Sequence, residues 1–317
     1  MKKEFLGNML SEDYVYQEEP EEPMIVVTAS GMPKLRSIKQ FLALPFFSLK
    51  KSDMDVFTFK SNDGKEVIKI VPSFYGRPTV YDKDFIIYII SYIQEQLDKG
   101  IINATTPNCA FVFDAHELLE NIGRKPTRLN NKIEEELKAT GARLFSTIET
   151  TVEFGGHKIA TGCTYIQHWT IVKDKSTGKI SLIFKLTDWI YASIVKSVKP
   201  EILTLDKNYY QIPIGLERRI YEILRQKMGI FYANGNKPLA YYQIKMSDLK
   251  KLCGSTSEDK EFTRNIKKII TDRKSVLLHW HISIKNGVFY ARNQNRIKNA
   301  KTLKEQGEMI RHAQSVK

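Results

Sequence analysis

The stretch SDLKKLCGSTSEDKEFTRNIKKIITDRKSVLLHWHISIKNGVFYAR, residues 247–292, decides the fold class of this chain. Ser247 caps a short helical run, DLKKLC, which Gly254 stops; after the turn Ser255-Thr256-Ser257 the spacing predicts a second helix over 258–271. At about 100° per residue, that helix gathers Phe262, Ile266, Ile269 and Ile270 on one face and Lys260, Arg264, Lys267, Lys268 and Thr271 on the other. Strand-like runs 276–284 and 288–292 then flank Asn286-Gly287, the pair best suited to a two-residue hairpin because both positions accept positive φ. An amphipathic helix over 215–228, ended by Gly229, and an alternating strand over 239–246 come before. The order is helix, strand, helix, helix, hairpin: a helix-turn-helix with a β-wing.

The same order occurs once upstream, at a spacing of roughly 140 residues, with no shorter repeat. Thr79 and Asp82 form a capping-box pair before an apolar helix that runs to about Lys99 and ends at Gly100. A strand over 109–113, a helix opened by Asp114 and closed by Gly123, and a helix over 127–140 stopped by Gly141 follow. Residues 144–154, 158–172 and 180–186 alternate as one antiparallel sheet, and Thr187 caps a last helix ending before Pro200. The expectation is an α+β chain of tandem winged-helix domains. Residues 1–40 form a flexible acidic N-terminal arm, 41–200 the N-terminal winged-helix domain, 201–295 the C-terminal DNA-reading domain and 296–317 a basic C-terminal tail.

Charge supports a polyanionic partner. Lys+Arg number 49 against 36 Asp+Glu, a net +13. Residues 1–40 carry 5 basic and 7 acidic side chains, 41–240 carry 27 and 22, and 241–317 carry 17 and 7, so the last segment alone has a net +10. No apolar run approaches the ~20 residues of a membrane span, and the first residues lack the apolar core of a signal peptide. Three widely spaced cysteines, Cys109, Cys163 and Cys253, fit buried thiols in a reducing cytoplasm.

On the 258–271 helix, Arg264 is the residue suited to read a base, because its planar fork can bond guanine O6 and N7 together. Asn265, at the edge of that face, suits adenine. Lys260, Lys267, Lys268, Arg273 and Lys274 suit phosphates, which set position without reading sequence. The wing adds Lys285 and Arg292. In the first half Arg124, Lys125, Arg128, Asn131 and Lys132 make the start of the matching helix basic, but Glu134-Glu135-Glu136 follow at once, so only its N-terminal end is expected at phosphate. A solvated face without DNA is the competing reading there.

Catalytic signals are absent. His279-Trp280-His281 has the His–hydrophobic–His pattern of metal-dependent nicking replication nucleases, but only Tyr290 follows it, in the opposing hairpin strand, and a structural strand fits better. No GxxxxGK[ST] loop, DxD or HExxH is present, and no cofactor is expected.

Five segments, LPFFSLKK (44–51), PSFYGRPTVYDKDFIIYIIS (72–91), LTDWIYASI (186–194), LTLDKNYYQI (203–212) and LERRIYEILRQKMG (216–229), in this order and spacing, resemble the plasmid replication initiator protein A (RepA) family, itself distantly similar to iteron-binding plasmid initiators. The likeness covers roughly residues 40–285, with GRPTVYDKD its most specific block; around 124–145 it is looser, RKPTRLNN standing where relatives tend to be glycine-rich. The resemblance implies a non-enzymatic initiator that binds direct repeats in double-stranded plasmid origin DNA. It further implies origin opening, recruitment of the host replicative helicase and DnaA, and homodimers able to repress their own gene. A winged-helix transcription regulator is the main alternative.

Overall fold

The structure, a computed structural model, describes residues 27–28, 32–64, 66–124, 130–154, 157–197, 201–229, 240–272, 277 and 279–293. Most of the expected arm and all of the expected tail lie outside these residues. The chain begins with β1 (Val27–Thr28), β2 (Arg36–Ile38), α1 (Lys39–Ala43), β3 (Phe57–Lys60), β4 (Glu66–Val71) and α2 (Lys83–Asp98). Next come β5 (Phe111–Asp114), α3 (Ala115–Asn121), α4 (Asn130–Leu144), β6 (Thr147–Phe154), β7 (His157–Cys163), β8 (Ile166–Lys173), β9 (Ile180–Leu186), α5 (Asp188–Val195) and β10 (Ile202–Thr204). The last part holds α6 (Gly215–Met228), β11 (Tyr241–Lys245), α7 (Met246–Cys253), α8 (Asp259–Asp272), β12 (Trp280–Lys285) and β13 (Val288–Asn293). The architecture is mixed α and β.

Two sheets share one strand order. β11-β13-β12 is a three-stranded antiparallel sheet, and β5-β9-β8, extended by β1, repeats its connectivity: the strand after the first helix pairs the last strand, which pairs the one before it. Each set is preceded by a long helix and interrupted by two more, α3 and α4 in one case and α7 and α8 in the other. The first set differs by an excursion. β6 leaves it to pair with β4, and β7 pairs with β6, giving the order β3-β4-β6-β7. Residues 158–172, expected as one strand, are therefore two strands in different sheets, broken at Thr164-Tyr165. Tyr165 is fully buried and its hydroxyl donates to Phe46 O at 2.6 Å, so the chain turns inward there.

Helix α2 is the centre of the core. Residues Phe85 to Ile93 are all buried, as their near-continuous apolarity requires. Its entry is tied by Asp82, whose Oδ2 accepts from Thr79 N at 2.8 Å and Thr79 Oγ1 at 2.9 Å, while Thr79 Oγ1 accepts from Asp82 N at 3.2 Å. Arg143 on α4 adds two bonds to the same carboxylate, at 2.8 and 2.7 Å. Gly141 does not stop α4, which runs three residues further. The residue is glycine because Trp169 on β8 presses against it; a Cβ there would lie 2.7 Å from the indole. Ser247 and Thr187 do not cap by side chain either: α7 starts at Met246, two residues before the expected Asp248, and the Thr187 hydroxyl donates to Thr164 O at 3.0 Å.

Helix α6 joins the two sets through buried charge. Arg218 Nη1 bonds both oxygens of Asp84 on α2, at 2.6 and 2.7 Å. Lys83 bonds Glu222 at 2.9 Å, both about 1% exposed. Arg219 donates to Leu252 O at the end of α7, to Leu42 O and Ala43 O at the end of α1, and to Glu222. One guanidinium thus satisfies the carbonyls of two helix ends from opposite halves, each otherwise left without an intrahelical donor. The position of α7 and α8 against the first half is set here.

Candidate nucleic-acid interface

Helix α8 has the expected two faces. Phe262, Ile266 and Ile269 are buried, while Lys260, Arg264, Lys267 and Lys268 are exposed. The Arg264 side chain is 76% exposed, and among the described residues its ion pair is a long one, 3.6 Å to the exposed Glu261, which leaves its fork available to a partner. None of the three lysines joins the ion pairs of the described residues. At the opposite end, Lys250 of α7 bonds Asp259 at 2.6 Å and ties the two helices together. The turn between them begins at Gly254 in the left-handed conformation (φ 66°), a position that favours glycine.

Asn265 is not fully outward. It is half-buried and lines a crevice of about 450 Å³ with Pro213, Ile214, Leu216 and Lys268, between α8 and the start of α6. Arg273 and Lys274 lie outside the described residues.

The hairpin turns as its sequence requires, with Asn286 at φ 49° and Gly287 at φ 72°. Lys285 is exposed beside this tip and pairs in register with Val288, which in turn faces Lys245 of β11. Lys245 is missing from the expected set because its place beside the tip comes from β11–β13 pairing over more than forty residues. Arg292 is four pairs further along β13, about 14 Å from the tip at the usual strand rise. It is exposed on the outer face of the sheet, flanked in register by Tyr241 and His281, with its guanidinium 5.5 Å from the Tyr241 ring. The structure therefore groups Lys285 with Lys245 and separates both from Arg292.

In the first half Arg124 is held inside a contact set: it donates to Tyr81 O at 2.6 Å, pairs with Glu136 at 2.5 Å and lies 4.9 Å over the Phe85 ring. Sequence proximity to Lys125 and Arg128 suggested a phosphate contact; the geometry makes Arg124 a strut between α2 and α4. Lys132 is exposed. Lys125 and Arg128 lie outside the described residues, as does the side chain of Asn131.

His279 Nε2 donates to Asp206 Oδ2 at 3.0 Å, Trp280 is fully buried and His281 is exposed, so the three residues of the His–Trp–His run have three different environments. Among the described residues no three His, Cys, Asp or Glu side chains are grouped to hold a metal. The Cys253 thiol, buried in the α7 core, is pushed up to about 12 by desolvation, which suits packing and not reactivity. No helix of the described residues is long and apolar enough to cross a membrane.

The structure is a mixed α and β chain in which the basic face of α8 stands with the β12–β13 hairpin in the last part of the molecule. The chain belongs to the replication initiator protein A family, whose model matches residues 37–277, and with that membership goes a replication-initiator role. It is 29% identical over 243 residues, 75% of this chain and 80% of the relative, to a protein of Wigglesworthia glossinidia brevipalpis described provisionally as a replication protein. Its structure is similar to the crystal structure of RctB domains 2-3, with a TM-score of 0.48 and 12% identity over 81% of this chain and 98% of the other.

Proposed function

We propose that this initiator binds direct repeats in double-stranded plasmid origin DNA, in the cytoplasm, with no chemistry of its own and no cofactor. The observation that supports this best is α8: its apolar face is fixed in the core, and its opposite face offers Arg264, paired at 3.6 Å with the exposed Glu261, and three lysines outside the ion pairs of the described residues. Helix α6, β11, α7, α8 and the β12–β13 hairpin act as a winged-helix reading head. Helix α2, β5, α3, α4, β8 and β9 act as a second winged helix, a reading supported by the shared strand order.

In this account α8 enters the major groove. Arg264 bonds a guanine edge, Asn265 approaches from the junction side, and Lys260, Lys267 and Lys268 hold phosphates, with Arg273 and Lys274 continuing that line. Lys285 at the wing tip meets the neighbouring backbone. Copies bound side by side bend the DNA and shift an adjacent A·T-rich segment toward melting, where flexible steps deform at lower cost. The opened origin then receives the host helicase and DnaA, and a homodimeric form represses the initiator's own gene.

Footprinting on DNA flanking the gene tests the proposal. Protected direct repeats, with affinity falling steeply as salt rises, are expected, since each phosphate contact releases a counterion. A single protected palindrome would favour a transcription regulator, and a salt-insensitive affinity would contradict a basic DNA-facing surface.

A further inference from the structure

The crevice beside Asn265 does not end there. A second one, of about 440 Å³, shares Pro213, Ile214, Leu216 and Asn265 with it and adds Lys50 from the first half and the turn Ser255–Ser257 from the second. The turn of the helix pair is therefore set against the 48–53 loop. The start of the turn also packs on the residues that flank this loop: a Cβ on Gly254 would lie 3.0 Å from Pro45 Cβ and 3.5 Å from the Phe57 ring.

Both sides of this seam are held in place. Ser48 N donates to Pro78 O at 2.8 Å, its O accepts from Val80 N at 2.9 Å, and its hydroxyl donates to Asp53 at 2.6 Å. Asp53 is also paired with the buried Arg77. On the other side Arg219 binds Leu252 O, two residues before Gly254, and the same guanidinium binds Leu42 O and Ala43 O. Between these anchors, Lys50 and Lys51 are exposed and take no part in the ion pairs of the described residues. Across the seam the Ser255 and Ser257 hydroxyls lie 2.9 Å apart.

We infer that Lys50 and Lys51, with the hydroxyls of the 255–257 turn, form a second contact lip for the phosphate backbone of duplex DNA, built jointly by both halves and fixed in register with α8. This rests on the proposed duplex-binding function and adds to it a site outside the reading head. A rigid lip contributes affinity and position, not base choice, since phosphates are the same at every step. It also lets two cations meet phosphates without first ordering a loop.

The test compares the full-length double variant Lys50→Ala/Lys51→Ala with the parent on footprinted repeat DNA and on random duplex of the same length. The expected result is a slope of log affinity against log salt reduced by about two, with both DNAs weakened by the same factor. The variant's unfolding midpoint should stay unchanged, because both side chains are solvent-exposed. Lys50→Glu/Lys51→Glu should weaken binding further. Removing Lys99 and Lys196, exposed lysines that belong to neither the 48–53 loop nor the 255–257 turn, should leave the slope as it is. An unchanged slope in the Lys50/Lys51 variant overturns the lip. If Arg264→Ala then still loses selectivity, the reading head stands without the lip; if Arg264→Ala is also silent, the duplex-binding function fails as well.

Discussion

Two regions of this molecule are rich in arginine and lysine and use them in opposite ways. At the α2–α6 junction, Lys83, Arg218 and Arg219 are nearly devoid of solvent and every cation is matched by Asp84, Glu222 or a helix-end carbonyl. On the outer face of α8, Lys260, Arg264, Lys267 and Lys268 are exposed, and only Arg264 has an ion-pair partner, distant and itself exposed. Burial makes an unmatched charge expensive, so the junction's cations are committed to structure. Exposure leaves the α8 cations hydrated and exchangeable, so they can trade water and counterions for phosphate. Composition counts both sets alike; only the second can bind a polyanion.

That contrast gives variants of graded effect. Arg219→Ala should be the most severe, lowering stability by about 3–5 kcal/mol in a denaturant titration, since it removes one of the two cations paired with the buried Glu222 and leaves three helix-end carbonyls without their donor. A loss within experimental error would mean the junction is not held by this residue. Lys83→Met is read by its pH slope. Burial pushes the Lys83 ammonium down to about 8, against the pull of Glu222. Between about 8 and the unfolded value near 10.4 the unfolded chain binds the extra proton, so this group makes stability rise with pH across that window. The rise should vanish in Lys83→Met relative to the parent, and an identical slope would contradict a buried ammonium.

Gly141→Ala comes next, at about 1–3 kcal/mol, because the added methyl must displace the Trp169 ring. An equally stable variant would show that α4 and β8 have slack at this contact. At the small end, Glu134→Gln breaks the exposed i,i+4 pair with Lys138, and its melting midpoint should not move measurably. A clear drop would blur the distinction between committed and exposed charge.

Legibility in the sequence followed the range of the contacts. Helix α8, its basic stripe and the Asn286-Gly287 turn depend on neighbours within a few positions, and all are where periodicity puts them. The β6–β7 excursion depends on β4, about eighty positions away, so residues 144–186 read as one sheet when they belong to two. Gly141 carries the local signature of a helix stop, but a ring from β8 explains it. Arg124 looked available because its sequence neighbours are basic; Tyr81 and Phe85, which hold it, come from another helix entry some forty positions earlier. The same non-local pairing hid Lys245 beside the hairpin tip.

The most direct test of the central claim is a base-pair substitution scan of the recognised repeat with the parent protein and Arg264→Ala, neither expected to differ in stability. The parent should show a G·C position whose replacement costs about 1–3 kcal/mol, and in Arg264→Ala that penalty should disappear while the others remain. Superimposable profiles for the two proteins would mean that α8 does not read the duplex.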